Sequence, residues 1–400
     1  MAVSPPSPAA VPAVPAPRLD RLGVIVALLA MAGAGVLPFA AFKANRIVPG
    51  DPLSILGALP SGQAVLLYGV IAAGACVAVL RVRNLWRLAA GLCVIGALAL
   101  MLGAAASFLT PDGNRVARVS PAAGFWLLVF AFALMVADAL ARLRPGPWTR
   151  LALLVLIASA GAALLWGGVW GDVSILREYA SRGAAFWAEA RTHVVLSLGS
   201  LAAAAVVGVP LGLFCHRRRR LRIGVLNVLN VVQTVPSMAL FGLLIAPLAW
   251  VAAHVPGAAA LGVSGIGFAP AMVALFGYSL LPIVANTVAG LDAAPETVRE
   301  AARGMGMTPR QVLFGAELPL ALPVILTGIR IVLVQNIGLA TIAALIGGGG
   351  FGVFVFQGIG QTAMDLVLLG AVPTVALAIA AAVVLDAMVD LTGPRKARGA

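Results

Sequence analysis

The sequence contains few charged and aromatic residues for its length. Only 10% of its 400 residues are charged and 6% are aromatic, whereas 62% are hydrophobic and the mean hydropathy is +1.05. A soluble domain of this size has no interior large enough to bury so much apolar surface. The composition therefore excludes a soluble globular protein. It predicts an all-α polytopic membrane protein, because the apolar runs are continuous and about 20 residues long, which favours helices over a β-barrel.

Residues that carry chemistry are equally scarce. The three cysteines and three histidines are scattered and show no spacing typical of a metal site or a disulfide framework. The chain has two lysines, Lys43 and Lys396, and neither lies in the glycine-rich pattern of a phosphate-binding P-loop. Nothing resembles a catalytic triad or a pair of catalytic carboxylates. The sequence thus predicts no catalytic residue, no metal site and no cofactor in this chain.

Ten apolar segments are long enough to cross about 30 Å of hydrocarbon at about 1.5 Å per residue. They lie at 22–42, 64–80, 88–109, 122–141, 151–170, 192–214, 223–251, 268–291, 320–346 and 366–390. The seventh is overlong and contains Pro236 and Pro247, which predicts a kink or a break in that helix. The stretch before them, residues 1–20, is rich in proline and alanine, which is typical of a disordered tail.

The basic residues are distributed unevenly between alternate loops. Nineteen of the 27 lysines and arginines fall in one set of loops and termini, seven fall in the other set, and Arg330 lies within a span. Because cytoplasmic loops carry an excess of Lys and Arg, this bias predicts that both termini and the loop after the eighth span are cytoplasmic. The same topogenic interpretation accounts for the net charge of +13 without a nucleic-acid partner.

Polar side chains inside the apolar segments are concentrated in the second half of the chain. Polar groups are costly in lipid and usually face a bundle interior or a wet pathway. The sequence therefore predicts an accessory membrane region of five spans at 21–190, which ends in an outer amphipathic segment at 171–191, and a transport core at 191–392. The candidate pathway residues are Gln233, Pro236, Asn286, Thr327, Arg330, Gln335 and Asn336.

Two features of this core allow two interpretations each. Arg330 lies about 16 Å along the helix that follows Pro319, so it either borders the pathway and attracts a carboxylate or is a structural arginine paired with carbonyls or an acidic side chain. The four glycines at 347–350 suit either a close-packed re-entrant segment or a flexible loop.

The polar segment between the eighth and ninth spans predicts a helical hairpin. Asp292 is a candidate cap for its first helix. Gly304 and Gly306 allow a tight reversal of the chain. Thr308 and Gln311 have the spacing of a capping box for a second helix, with a proline at its first position.

Residues 300–319, EAARGMGMTPRQVLFGAELP, resemble the EAA---G---------I-LP loop of the inner-membrane subunits of ABC importers, except that Ala316 stands where that family usually has Ile. In that family the loop is the surface that contacts the ATPase. The resemblance therefore implies a coupling loop at 292–319. The residues that it assigns to ATPase coupling are Glu300, Ala301, Ala302, Gly304, Gly306, Leu318 and Pro319.

From residue 192 to 391 the chain resembles the permease subunits of glycine betaine/choline-type osmoprotectant ABC importers. The resemblance is carried by residues 227–237, 277–286, 300–319 and 343–352. It implies a type I importer core in the inner membrane, surrounded by lipid, that does not hydrolyse ATP. The implied partners are a dimer of cytoplasmic ATPases that bind ATP and magnesium, a second permease subunit in a homo- or heterodimer, and an extracytoplasmic substrate-binding protein.

Two alternatives remain at this stage. The first is a transporter driven by an ion gradient, a class that often shows internal repeats and carboxylates inside the membrane. Here no matching halves are evident, and Asp138, Asp386 and Asp390 lie near the ends of spans, so the ABC interpretation is favoured. The second is an ABC permease for another small solute, such as an amino acid.

Overall fold

A computed structural model describes residues 19–45, 48, 50–111, 113, 114 and 116–393. Nearly all of the predicted tail at 1–20 therefore lies outside the described residues. So do several of the basic residues that entered the topology argument: Arg18, Arg46, Arg115, Arg395, Lys396 and Arg398. The chain divides into two compact units, with the boundary between Arg144 and Pro145. The boundary that the sequence suggested near residue 190 falls inside a long helix of the second unit.

The first unit is a bundle of four long helices with a small sheet. Its helices are α1 (Arg21–Gly35), the single turn α2 (Ile55–Ala58), α3 (Ser61–Val79), α4 (Asn84–Leu109) and α5 (Ala123–Leu143). The helix pairs α1–α3, α1–α5, α3–α4 and α4–α5 pack against each other. Three antiparallel strands, β1 (Ala40–Lys43), β2 (Asp51–Leu53) and β3 (Arg118–Pro121), form a sheet in the order β2-β1-β3. Strands this short show no alternating pattern, so the sequence did not predict them.

Four charges at one end of this bundle form a closed network. Arg87 is only 1% exposed and lies 2.9 Å from Asp20 and 3.3 Å from Asp138. Arg142 lies 3.0 Å from Asp20 and 2.9 Å from Asp138. A buried charge is tolerated when it is paired, and this network joins the start of α1 to α4 and α5.

The second unit contains the remaining helices. They are α6 (Pro147–Trp166), α7 (Ser174–Arg217), α8 (Arg219–Thr234), α9 (Ser237–His254), α10 (Phe268–Asp292), α11 (Glu296–Gly304), α12 (Pro309–Val312), α13 (Leu318–Ile342), α14 (Gly352–Gly360) and α15 (Met364–Thr392). A π-helical turn, Leu313–Glu317, joins α12 to α13, and a 3₁₀ turn, Ala343–Ile346, follows α13. The chain stays helical from residue 309 to 346. The second arm of the hairpin and the ninth predicted span therefore form one continuous helix.

The centre of the second unit is α10, which packs against α7 and α13. A Cβ at Gly212 of α7 would lie 2.6 Å from Thr287 of α10, and a Cβ at Gly208 would lie 2.9 Å from Ile283. Small residues at such contacts let membrane helices approach closely. On the other side, α13 packs on α15, and α15 packs on α14 and α6.

The part of the chain that the structure describes has one membrane-spanning helix fewer than the ten that the sequence analysis predicted, because the first predicted span corresponds to a helix of only 15 residues. Within the described residues, nine helices are long and apolar enough to cross a membrane, and α1 is apolar but has only 15 residues. The predicted seventh span is broken at Val235–Pro236 into α8 and α9, which confirms the predicted break, whereas Pro247 remains inside α9. The amphipathic segment at 171–191 overlaps the start of α7, which begins at Ser174 and consists of two helical parts that meet at a kink at Arg182 (φ −131°, ψ 19°).

Candidate functional site

The hairpin between α10 and α13 begins with α11, which ends in a Schellman motif. The amide of Gly306 donates to the carbonyl of Arg303 at 2.9 Å, and the amide of Met307 donates to that of Ala302 at 3.1 Å. Gly306 has φ +79°, in the left-handed region that this motif requires. Gly304, in contrast, is the last residue of α11. Of the two predicted turn glycines, only Gly306 is required by the backbone conformation.

The second arm begins with the predicted capping box. The amide of Thr308 donates to Gln311 Oε1 at 2.8 Å, and the amide of Gln311 donates to Thr308 Oγ1 at 3.4 Å. This prediction is confirmed. The prediction that Asp292 caps the first arm is wrong, because α11 begins after Pro295 and has no side-chain cap. Asp292 is instead the last residue of α10, where it pairs with two basic side chains.

Those two side chains come from the junction of α7 and α8. His216 Nδ1 lies 2.8 Å and Arg222 Nη1 lies 2.6 Å from the carboxylate of Asp292. The carboxylate therefore fixes the end of α10 to the α7–α8 corner.

The π-helical turn Leu313–Glu317 lies just before Pro319. A proline has no N–H to donate, and its ring clashes with the carbonyl four residues earlier in a regular α-helix. The wider turn lets the helix continue past Pro319, so the second arm of the hairpin runs into α13 without a break.

Arg299 holds the hairpin to the ends of two long helices. Its Nη2 donates to the carbonyl of Leu291 at 2.7 Å, its Nε to Glu317 at 2.8 Å and its Nη1 to Glu296 at 2.9 Å. The guanidinium is 14% exposed, and the hydrogen bond with Glu296 raises the pKa of Arg299 and lowers that of Glu296. The sequence analysis missed this contact. The spacing of Glu296 and Arg299 was a local signal, but nothing in the sequence paired Arg299 with Glu317.

The predicted coupling residues lie on different sides of the hairpin. Glu300, Ala301, Gly304, Gly306 and Pro319 are exposed, Leu318 is half-buried, and Ala302 is buried. Beside the hairpin is a groove of about 810 Å³. It is lined by His216, Arg217, Arg303, Met307, Thr308, Pro309, Arg310, Val312, Leu313 and Glu317. Three arginines and one carboxylate line it, so the groove favours an acidic partner surface.

Gln233 and Tyr278 hold the break between α8 and α9. Pro282 has no N–H, which leaves the carbonyl of Tyr278 without its usual helical donor. Gln233 Nε2 donates to this carbonyl at 2.8 Å. In return, Tyr278 donates its hydroxyl to the carbonyl of Val235, next to Pro236, at 2.5 Å. The side chain of Gln233 therefore stabilises the packing of α8 on α10.

Asn336 is fully buried where α7, α10 and α13 meet. Its amide nitrogen donates to Ser200 Oγ and Ser279 Oγ, each at 2.9 Å. The hydroxyls of Ser200 and Ser279 in turn donate to carbonyls of their own helices. Asn336 thus satisfies a polar cluster between helices and presents no surface to a channel.

The other candidate pathway residues are partly exposed. Asn286 and Thr327 donate to carbonyls one turn earlier in their own helices, at 2.8 and 2.9 Å. Gln335 is half-buried. Arg330 forms an ion pair with Asp386 of α15, which is the acidic partner that the structural interpretation of Arg330 required.

The glycine segment at 347–350 is close-packed against α7. Gly347, Gly349 and Gly350 have positive φ angles, between +76° and +86°. The amide of Gly350 donates to Glu189 Oε2 at 2.6 Å, and the amide of Phe351 donates to His193 Nδ1 at 3.4 Å. The structure therefore favours the close-packed interpretation, with α7 side chains fixing the start of α14.

Comparison with known families decides the class of this protein. Residues 20–176 match the N-terminal domain of the ABC transporter permease YehY, and residues 208–398 match the inner membrane component of binding-protein-dependent transport systems. The protein "Osmoprotectant import permease protein OsmW" of Salmonella typhimurium (strain LT2) is 44% identical over 187 residues, which are 47% of this chain and 82% of that protein. The chain belongs to the family of inner-membrane permeases of ABC importers.

Other relatives extend this result. The permease is 36% identical over 219 residues to the "Glycine betaine/carnitine/choline transport system permease protein OpuCD" of Bacillus subtilis (strain 168), covering 54% of this chain and 89% of that one. A chain in the inward-facing structure of the MetNI methionine ABC transporter aligns with a TM-score of 0.46 at 22% identity, covering 53% of this chain and 95% of that chain. The permease is therefore a multi-pass inner-membrane transport subunit rather than an enzyme, and the ATPase of such a system is a separate component.

Proposed function

We propose that this permease imports glycine betaine, choline, carnitine or a related osmoprotectant. The observation that carries the proposal is the 44% identity to an osmoprotectant import permease over 82% of that protein's length. Relatives at 36–37% identity are described as permeases for choline, carnitine and glycine betaine. An amino acid remains the alternative solute, whereas membership of the ABC permease family removes the ion-gradient alternative.

We propose that transport is driven through the hairpin by a dimer of cytoplasmic ATPases, which bind the ATP and magnesium. Three features support this. Glu300 and Ala301 are exposed, the adjoining groove is rich in arginine, and one continuous helix leads from Pro309 to Ile346. Closure of the ATPases would displace α11, and the contacts of Arg299 would transfer the displacement to α10 and α13. A second permease subunit, identical or homologous, and an extracytoplasmic binding protein complete the proposed importer.

The proposed orientation has both termini and the hairpin in the cytoplasm. It is supported by the excess of arginine in one set of loops. Arg217, the last residue of α7, and Arg222, in the first turn of α8, also lie beside the hairpin, since Arg217 lines its groove and Arg222 pairs with Asp292. Two of the loops assigned to the cytoplasm therefore occur at one end of the second unit.

We propose that the solute passes beside the break between α8 and α9. A break in a membrane helix leaves backbone groups that only neighbouring protein or a water-filled cavity can satisfy. Pro236 is exposed at this break. In this proposal Gln233, Asn286, Thr327 and Gln335 border the pathway, and Asn336 holds the helices around it. The pairing of Arg330 with Asp386 favours a positioning role for that arginine.

The proposed solute class predicts which ligand activates the assembled importer. The permease, its ATPase and its binding protein are reconstituted in lipid nanodiscs, and ATP hydrolysis is measured. We expect binding protein loaded with glycine betaine or choline to stimulate hydrolysis several-fold, because a productive solute complex favours the state in which the ATPases close. The control is the same binding protein without ligand. Stimulation by an amino acid and by none of the quaternary ammonium compounds would assign the permease to the alternative solute class.

The two compact units predict that the first five helices are dispensable for assembly. A chain that begins at Pro145 keeps every helix of the second unit, including all the hairpin contacts. We expect it to insert in the membrane and to copurify with the ATPase in the same ratio as the full-length permease. The control is the full chain in a parallel preparation. If the shortened chain inserts normally and yet captures no ATPase, the first unit is not an accessory region.

A further inference from the structure

Helix α6 precedes the region that matches the permease family, yet it belongs to the second compact unit. It packs along α15, and none of its own residues is buried. Apolar contact of this kind fixes neither the rotation nor the register of a helix well. The specific contact between α6 and the core is made by Arg150, in the first turn of α6.

Arg150 contacts three charged or polar groups at one place. Its Nη1 forms an ion pair with Asp386 and lies 3.0 Å from Asp390, and its Nε donates to the carbonyl of Pro145 at 2.9 Å. Asp386 accepts a second ion pair from Arg330 of α13. Two arginines and two aspartates therefore form a neutral chain that joins α13, α15 and α6 to Pro145, the first residue of the second unit.

These four charged side chains lie within membrane helices, so each of them is stabilised by its ion-pair partners. Asp386 and Asp390 lie one turn apart near the end of α15, and Arg330 lies in the interior of α13. Charged side chains in membrane helices are costly unless they are paired or reach the interface. Removal of Arg150 would leave one arginine for two carboxylates. Asp386 would then pair with Arg330 alone, and only apolar packing would join α15 to α6.

We propose that Arg150 is a positioning residue of the transport core: it holds Asp386 on α15 in place for Arg330 on α13, so that α6 moves with the core during transport. α13 is continuous with the hairpin, so a shift that begins at the hairpin reaches Arg330 and, through this network, α15 and α6. The proposal rests on the coupling of hairpin and ATPase proposed above. An arginine retained only to set topology would not need two carboxylate partners on a distant helix.

A charge-reversal cycle on the full-length permease tests the proposal. In the complete importer in nanodiscs, solute uptake and stimulated ATP hydrolysis are measured for Arg150→Asp, Asp390→Arg and the double variant Arg150→Asp/Asp390→Arg. We expect each single variant to lower uptake about tenfold, because groups in one ion network couple strongly. The double variant restores a neutral set of two acids and two bases across α6, α15 and α13. The arginine introduced at position 390 lies one turn from Asp386 and can pair both with it and with the aspartate introduced in α6. It should recover most of the uptake.

Two controls separate positioning from folding and from the proposed function. Asp390→Asn removes only one contact of Arg150 and should change uptake less than about twofold. The wild-type importer in the same preparation tests the coupling itself. If the wild type shows no stimulated ATP hydrolysis and no uptake, the result counts against the proposed function and not against the role of Arg150. Two outcomes would overturn the role of Arg150: a double variant no better than Arg150→Asp, or an Arg150→Asp protein that melts at lower temperature but transports normally per folded molecule.

Discussion

We expect Gly306→Val to abolish the coupling of ATP hydrolysis to transport while leaving the permease inserted in the membrane. Gly306 has φ +79°, and a left-handed conformation costs a residue with a Cβ about 1–2 kcal/mol, more for a β-branched side chain. A Cβ at this position would meet no atom within 4 Å, so the cost comes from the backbone alone. The Schellman turn should open and α11 should lose its position. Uptake and stimulated hydrolysis in nanodiscs measure the effect, which we expect to exceed tenfold.

Gly304 provides a matched control in the same hairpin. It is helical, and a Cβ there would also meet no atom within 4 Å. Because alanine favours a helix by about 1 kcal/mol over glycine, Gly304→Ala should leave coupling intact and slightly raise the melting temperature. If both variants behave alike, or if Gly306→Val transports normally, the turn does not carry the coupling.

The hairpin was predictable because most of its determinants are local. The reversal needs one glycine, and the second arm needs Thr308, Pro309 and Gln311 within four residues of each other. Such signals depend on neighbours along the chain and can be read without tertiary structure. The break between α8 and α9 was predictable for the same reason, since Pro236 interrupts a helix wherever that helix packs.

The contacts that join these elements could not be predicted in the same way. The sequence analysis assigned Asp292 as a helix cap because aspartate often precedes helices. In the structure its carboxylate instead pairs with His216 and Arg222, which lie far away in the sequence. Arg330 and Asp386 are 56 residues apart. Nothing in either segment identifies the other, because the pairing depends on how α13 packs on α15. The sequence therefore left the role of Arg330 open.

Gln233 shows how local and tertiary information combine. It was a candidate pathway residue because it is a polar side chain within an apolar segment. Its partner in the structure is the carbonyl of Tyr278, which Pro282 deprives of a helical donor. The proline is visible in the sequence and predicts an unsatisfied carbonyl, but only the packing of α8 on α10 shows which side chain satisfies it.

The second large effect is expected at Arg299. Its guanidinium donates to Leu291 at the end of α10, to Glu296 in α11 and to Glu317 at the start of α13. The hydrogen bonds to Leu291 and Glu317 are partly buried, and such bonds to a charged group contribute about 1.5–3 kcal/mol each. Arg299→Gln removes most of these contacts and leaves the carboxylate of Glu317, which is 13% exposed, without its guanidinium partner. Helix α11 should remain helical, but it should lose the hydrogen bonds that attach it to the end of α10 and to the start of α13.

We therefore expect Arg299→Gln to lower stimulated ATP hydrolysis and uptake by at least tenfold, and Arg299→Lys to recover only part of that loss because lysine lacks the planar fork of donors. Arg303→Gln is the matched control, since Arg303 lies one turn further along α11, is 65% exposed and approaches only Glu296, at 3.7 Å. That variant removes one of the three arginines of the groove, so it is expected to weaken ATPase binding, but it should change hydrolysis per bound ATPase by no more than about twofold. Equal losses in the Arg299 and Arg303 variants would show that positive charge on the hairpin matters and that the attachment to α10 and α13 does not. A selective loss in Arg299→Gln, with an unchanged amount of ATPase bound, would locate the defect in transmission from the hairpin rather than in assembly.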